Sequence, residues 1–297
     1  MMHRRTVLLT ATGALAGASA ACATGSGSDE TIPVGEDSLT IASINWDEAI
    51  VVTELWRQAL TAAGWTVNVV EYDDAAPLFR DLANGDVDFF LDGWLPSTHA
   101  DYMEKHGDSI DNLSFWYDNG SLAIAVPDYV TDINAIDELD SYADLLDGTV
   151  TGIEPGAGLT AAVRNEVIPT YNLTEVELKT SSTPEMLSDL RAATESQEAI
   201  AVTLWHPHWA YTAFNMRDLI DPYDTLNSVE TLHILTRSGF ASDQPDLAEA
   251  LRLFTMSNEQ LADLENFALN ESEDVSQAVS TWMQDNPMDS MMEPPSS

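Results

Sequence analysis

From residue 39 onward the chain alternates two apolar spacings, one of period two and one of period near 3.6, and this alternation restricts its fold more than any other feature. SLTIASIN reads as a strand, WDEAIVVTELWRQALTAAG as an amphipathic helix closing on Gly64, and WTVNVVEY as a second strand. APLFRDLANG then reads as a short helix and DVDFFLDG as a strand. Strands separated by helices must run parallel, so a β-α-β-α-β series predicts an α/β sheet flanked by helices.

The pattern resumes further on. LAIAVP, 122–127, reads as a strand leaving a first lobe, IDELDSYADLLDG as a helix, and TVTGIEPG as a strand ending in a glycine-rich turn. AGLTAAVRNEVIPTYNL predicts a helix, VELKT a strand, TPEMLSDLRAATES a helix capped by Ser182 or Thr183, and EAIAVTLW a buried strand. LHILTR would return to the first lobe, with helices between Pro245 and Trp282 packing on it. A chain of 297 residues suits two lobes of ordinary size. The expected organisation is a first lobe built from 38–123 and 231–297, a second from 124–230, and a cleft between them. Each lobe is expected to hold a mainly parallel sheet.

The N-terminus reads differently. MMHRRTVLLTATGALAGASAAC has a basic start, an apolar stretch and small residues before a break, the three parts of an export signal covering 1–21. The apolar stretch is too short and too rich in Ala and Gly for a membrane span. Arg4-Arg5 followed by TVLL also resembles a twin-arginine signal. Cys22, the one cysteine, ends SAAC in the manner of a bacterial lipoprotein signal, which makes it a candidate lipidation site. Residues 22–37 read as a flexible tether. With a single cysteine no intrachain disulfide forms, so packing must supply the stability.

The chain carries 50 acidic against 11 basic side chains, a net charge of −39. Loss of residues 1–21 would remove Arg4 and Arg5 and no acid, making the balance more acidic still. With 44% apolar residues the charge is not a sign of disorder. Such self-repulsion is screened at molar salt, where the Debye length falls to roughly 3 Å, and the composition predicts a protein suited to brine. No basic stripe exists to meet phosphates, which excludes nucleic acid as a partner.

In open α/β sheets ligands sit beyond the carboxyl ends of strands. Four stretches occupy such ends: NWDE (45–48), DGWLPSTH (92–99), GIEPGAGL (152–159) and LWHPHW (204–209). Three contribute a tryptophan, Trp46, Trp94 and Trp205, whereas Trp56, Trp65, Trp116, Trp209 and Trp282 read as core. Indole faces attract a desolvated cation by about 2 kcal/mol or more per contact, and quaternary ammonium uses several faces at once. GIEPGAGL offers free N–H groups at a helix start, suited to an anion; it lacks the lysine and the ending of a phosphate loop. His99, five residues after Trp94, can donate to the same anion. His206 and His208 are poor metal evidence without a third ligand, and Pro207 between them favours a structural turn. No nucleophile triad or acid pair stands out, which counts against a secreted hydrolase; a sugar binder remains open, because tryptophans also stack on sugars.

NWDE, GDVDFFLDGWLPSTHADY, VPDYV, GIEPGAG, SSTPEML and VTLWHPHW resemble, in that order, the glycine betaine-binding proteins that serve ABC transporters for compatible solutes, from about residue 39 to 285. The resemblance implies a two-lobed periplasmic-binding-protein fold of type II that closes by hinge bending. It implies a prism of Trp46, Trp94 and Trp205 around a trimethylammonium group, with His99 and the N–H groups of Gly158 and Leu159 holding the carboxylate. Trp46, Trp94 and His99 would come from one lobe and Gly158, Leu159 and Trp205 from the other. It further implies a permease partner, a monomeric lipid-anchored protein outside the cell, no cofactor, no metal and no catalysis. Related choline binders carry a Trp-Asp pair whose acid touches the choline hydroxyl, which adds Asp47 as a site candidate and keeps choline as the alternative ligand. The chain departs from the family in having Gly93 where Ala is common and Leu159 where Met is common.

Overall fold

The computed structural model describes residues 32, 33, 35, 38–226 and 229–292. The expected signal segment and Cys22 lie outside the described residues. Ser38–Ile44 forms β1, Asp47–Ala62 α1, Thr66–Tyr72 β2, Ala75–Asn84 α2 and Phe89–Leu95 β3. Local chemistry explains the helix ends. The Asp74 carboxylate accepts from the Ala76 N–H at 2.9 Å and starts α2, and Gly85, at φ 77°, stops it in the left-handed region that glycine enters freely. Helical crossovers make β1, β2 and β3 parallel, in the order β2-β1-β3.

After α3, Ala100–His106, the chain enters β4, which runs from Ile110 to Pro127. The sequence expectation placed a strand only at 122–127. The earlier half, with Asp111, Asn112, Asp118, Asn119 and Gly120, is too polar to read as a strand, and its pairing shifts register three times. Such bulges bend a strand. The consequence is structural: residues 110–120 of β4 pair with β9, Glu230–Arg237, while residues 121–125 pair with β7, Val202–His206. One strand therefore belongs to both halves of the sheet.

The second half adds β5, Thr149–Thr151, and β6, Glu177–Lys179, beside β7, with β8, Met216–Asp218, on β4. The full order is β2-β1-β3-β9-β4-β7-β5-β6. Three strands in each half are mutually parallel, β2-β1-β3 and β7-β5-β6. The long strand β4 and the returning β9 are antiparallel to their neighbours, so each half is mixed. Ile136–Leu146, within the stretch expected as a helix, is a 3-10 helix interrupted at Tyr142. Its buried Ile136 and Leu139 stand three residues apart, the spacing that a 3-10 helix places on one face.

The helical run over 158–171 comprises α4, Gly158–Ala162, a π turn, Val163–Val167, and α5, Ile168–Tyr171. Ser182, accepting from the Glu185 N–H, caps α6, Thr183–Ser196, settling the choice between Ser182 and Thr183. Short helices α7, Ala210–Ala213, and α8, Phe240–Asp243, precede α9, Pro245–Leu253, α10, Asn258–Glu265, and α11, Val275–Asp285. α10 and α11 pack on α1, and α9 on β4. Trp56, Trp116, Phe79, Phe89, Phe90, Phe240 and Phe254 are fully buried, each worth about 1.5–3 kcal/mol of transfer free energy. The end of the expected tether is docked on this body: Trp65 Nε1 donates to the Pro33 carbonyl at 2.8 Å, and a Cβ at Gly35 would fall within 1.9 Å of the Trp65 ring. Among the described residues no helix is long and apolar enough to cross a membrane.

Candidate functional site

The four stretches at strand ends converge. Trp46 caps α1 just beyond β1, Trp94 ends β3, Trp205 lies in β7, and Gly158 opens α4 beyond β5. Trp46, Trp94, Trp205, His99, Gly158 and Leu159 line one cavity with about 280 Å³ of atom-free space, its mouth included. Glu48, Thr98, Leu122, Ile153 and Ala157 complete its wall.

Asp47 does not line this cavity. Trp46, the extended residue before α1, and Glu48 in its first turn line the cavity, whereas Asp47 between them is directed at Trp209 and His208. Its carboxylate accepts from Trp209 Nε1 and stands 3.2 Å from His208 Nε2. His208 and His206 are engaged elsewhere: His208 Nδ1 accepts from the Ala210 N–H, and His206 Nε2 contacts Asp218 at 2.8 Å. Among the described residues no cluster could hold a metal ion.

Part of the cavity wall supplies donors. His99 is fully buried, and its Nδ1 accepts the backbone N–H of Trp94 at 2.9 Å. An accepting Nδ1 in a neutral ring puts the proton on Nε2. Burial holds the imidazole neutral by moving its pKa down to about 3, and Nε2 has no protein partner. A buried donor without a partner is costly, so a ligand acceptor at Nε2 is stabilising. The ring is braced by Trp46, stacked at 5.5 Å and 20°, and by the edge contact of Phe79 at 5.1 Å. Gly158 and Leu159 supply the first amides of a helix whose cap, Ala157, has no side-chain acceptor. A Cβ at Gly158 would lie 2.1 Å from the Thr98 carbonyl, so glycine is what lets α4 meet the loop that follows β3.

The cavity's aromatic wall is backed by acids. Trp46 Nε1 donates to Glu154 Oε2 at 3.3 Å, Trp94 Nε1 to Glu48 Oε1 at 3.2 Å, and Trp205 Nε1 to Glu48 Oε2 at 2.8 Å. Asp92 Oδ1 also accepts from Trp94 Nε1, at 2.9 Å. Burial raises the pKa of Glu48 to about 7, and of Asp47 to about 7, while Asp92 and Glu265 lie well above the carboxylate range from burial and then from the charge of Glu48. Glu48, Asp92 and Glu154 were missed as site residues at the level of sequence. With 50 carboxylates to choose from, only the adjacency of Glu48 and Glu154 to site stretches marked them.

Two contacts clasp the cavity from outside it. The Gly156 N–H donates to Asp74 Oδ2 at 3.0 Å, and Tyr102 Oη donates to the Gly156 carbonyl at 2.6 Å.

Fold and cavity together define an α/β ligand-binding protein of the type II periplasmic kind. Residues 37–285 match the family described as the substrate binding domain of ABC-type glycine betaine transport system, and the chain belongs to that family. It is 31% identical over 159 residues to the glycine betaine/carnitine transport binding protein GbuC of Listeria monocytogenes, a match covering 53% of this chain and 52% of GbuC. The chain thus spans about half the length of that curated relative. Lactococcal OpuAC, closed and complexed with glycine betaine, superposes with a TM-score of 0.79 at 26% identity, covering 86% of this chain and 100% of that one. The glycine betaine, L-proline ABC transporter binding protein ProX of Borrelia burgdorferi gives 0.79 at 26%, covering 87% and 97%. A choline-binding protein in complex with choline gives 0.78 at 23%, covering 85% and 89%, a likeness of fold.

Proposed function

We propose that this chain captures glycine betaine, or a methylated zwitterion close to it, outside the cell and presents it to an ABC permease. In this reading the trimethylammonium group stands among Trp46, Trp94 and Trp205. The carboxylate accepts from His99 Nε2 and from the amides of Gly158 and Leu159. The observation that carries the reading is that one cavity is lined both by indoles backed by carboxylates and by an unpartnered buried imidazole N–H. A ligand with a cation without N–H and an anion a few ångströms away matches both. A micromolar Kd, about −8 kcal/mol, is within reach of three ring faces and a held carboxylate after ordering costs.

The two parts of the sheet act as lobes, 38–123 with 231–297 and 124–230, hinged where β4 and the segment before β9 cross. Closure brings Trp205, Gly158 and Leu159 to Trp46, Trp94 and His99. The protein works as a monomer without catalysis, tethered through a lipid on Cys22 after removal of residues 1–21. Choline is the second ligand considered, and it leaves His99 Nε2 and the helix amides unpaired, at about 1–3 kcal/mol for each buried group. Asp47, turned to Trp209, gives choline's hydroxyl no compensating partner. The test is a titration of intrinsic tryptophan fluorescence in molar salt with betaine, choline and a panel of sugars. The reading expects a saturable change with betaine at the lowest concentrations; a response to sugar alone would refute it.

A further inference from the structure

All three indoles that face the cavity donate their Nε1–H to buried carboxylates, and two of them share one. Glu48 is 1% exposed and sits as a fork, one oxygen on Trp94 from β3 and the other on Trp205 from β7. Glu154, 3% exposed, holds Trp46 and is itself held by the Thr183 N–H at 2.8 Å and its hydroxyl at 3.1 Å. An indole whose N–H donates to an anion gains electron density on its ring faces. The anion also adds its own field in a site that water does not screen. Among the core tryptophans, Trp65 and Trp116 donate to the Pro33 and Leu91 carbonyls, while Trp209 and Trp282 also donate to carboxylates, Asp47 and Asp263, so what sets the cavity apart is that the donating rings line it.

The charge can be assigned from geometry. Glu48 Oε1 and Asp92 Oδ1 both lie within 3.2 Å of Trp94 Nε1. Two carboxyl groups this close do not both ionise readily, so one keeps a proton. Glu48 accepts from two indole donors and Asp92 from one, so Glu48 is the better stabilised anion and Asp92 keeps the proton. Asp47 is engaged by Trp209 and faces His208, and Glu265 Oε2 accepts from the Trp209 N–H at 3.1 Å. The fork of Glu48 is therefore the charge placed directly behind two of the three rings.

We infer that Glu48, with Glu154 behind Trp46, is a specificity-determining positioning residue: its charge makes the aromatic cavity select a permanent cation over a neutral group of the same shape. This rests on the reading of the cavity as a betaine site and adds what sets its selectivity. Ring shape alone would not discriminate a quaternary nitrogen from a quaternary carbon; charge transmitted through the indoles does.

The experiment compares glycine betaine with 3,3-dimethylbutanoate, which has the same carboxylate and a tert-butyl group in place of trimethylammonium. Kd values for both are measured calorimetrically at pH 8 in molar salt for the native chain, Glu48→Gln and Glu154→Gln, with circular dichroism as a check of fold. The native chain should prefer betaine strongly. Glu48→Gln should weaken betaine about tenfold or more, equivalent to about 1.4 kcal/mol, and leave the isostere unchanged or slightly tighter, so that the preference collapses. Glu154→Gln should act in the same direction, and it carries the test if Glu48→Gln does not fold. Equal weakening of both ligands, which a purely structural role would give, overturns the inference, as does a native chain without preference. A native chain that binds neither ligand instead overturns the betaine reading beneath it.

Discussion

The backbone N–H of Trp94 donates to Nδ1 of His99 at 2.9 Å, so the residue that supplies one aromatic wall also fixes the tautomer of the histidine that lines the same cavity. The loop WLPSTH is thereby a single device. It presents a ring face and, five residues on, an imidazole with its proton on the outer nitrogen.

Removing that donor should separate two ligands. His99→Ala is expected to weaken betaine by about 1–3 kcal/mol, the usual effect of losing a partner to a charged acceptor, and to change choline far less. Calorimetric titration of both ligands on both proteins checks this, and equal losses would contradict the role given to His99.

The closure proposed above requires the absence of a side chain at Gly158. A Cβ there would approach the Thr98 carbonyl to 2.1 Å and Thr98 Cγ2 to 2.5 Å. The backbone at Gly158 does not lie in the left-handed region, so alanine adds bulk without backbone strain. Gly158→Ala should fold normally and bind betaine at least about tenfold more weakly, a loss of about 1.4 kcal/mol. Small-angle scattering with saturating betaine should show a smaller compaction than in the native chain.

The buried groups predict a pH dependence whose sign follows from their shifts. Asp47 and Glu48, raised by burial to about 7, favour the folded state fully below their unfolded values near 4, and that contribution is lost as pH rises through about 7. His99 and His208, lowered by burial to about 3, favour the folded state above 6.5 and lose that contribution as pH falls below it. The two pairs oppose each other between about pH 4 and 6.5, and above 6.5 only the acids remain. Without ligand, the melting temperature should therefore fall between pH 6.5 and 8. A bound cation favours the ionised acids, so betaine should bind more tightly at pH 8 than at pH 6 and release protons on binding. Calorimetry in two buffers of different ionisation enthalpy measures that release; proton uptake would be the wrong sign.

The net charge of −39 predicts a second solution property. Exposed acids repel over about 10 Å at 0.1 M salt and over about 3 Å at 1 M. The midpoint of thermal unfolding should fall steadily on dialysis from molar to millimolar salt, and a salt-independent midpoint would show that the acids are already compensated within the fold.

Much of this arrangement was legible in the order of residues. The spacing of SLTIASIN and the helix after it gave β1 and α1, and the position of Trp46, Trp94 and Trp205 just past apolar strands placed three rings at one edge. Two things were not legible. The first half of β4 reads as loop because Asp111, Asn112, Asp118 and Asn119 are polar; only pairing with β9 makes it a strand, and no local pattern records a partner more than a hundred residues away. The carboxylates behind the indoles were hidden by abundance. Glu48 differs from other acids only in its burial between Trp94 and Trp205, and burial is a property of the folded chain. Asp47 shows the converse: it neighbours Trp46 in sequence, yet it is directed at Trp209.

The central claim is that one cavity grips the two poles of a zwitterion. A crystal structure of the betaine complex tests it most directly. The account predicts trimethylammonium carbons against the faces of Trp46, Trp94 and Trp205, and carboxylate oxygens within hydrogen-bond reach of His99 Nε2 and the amides of Gly158 and Leu159. Betaine bound in the reverse orientation, or outside this cavity, would contradict it.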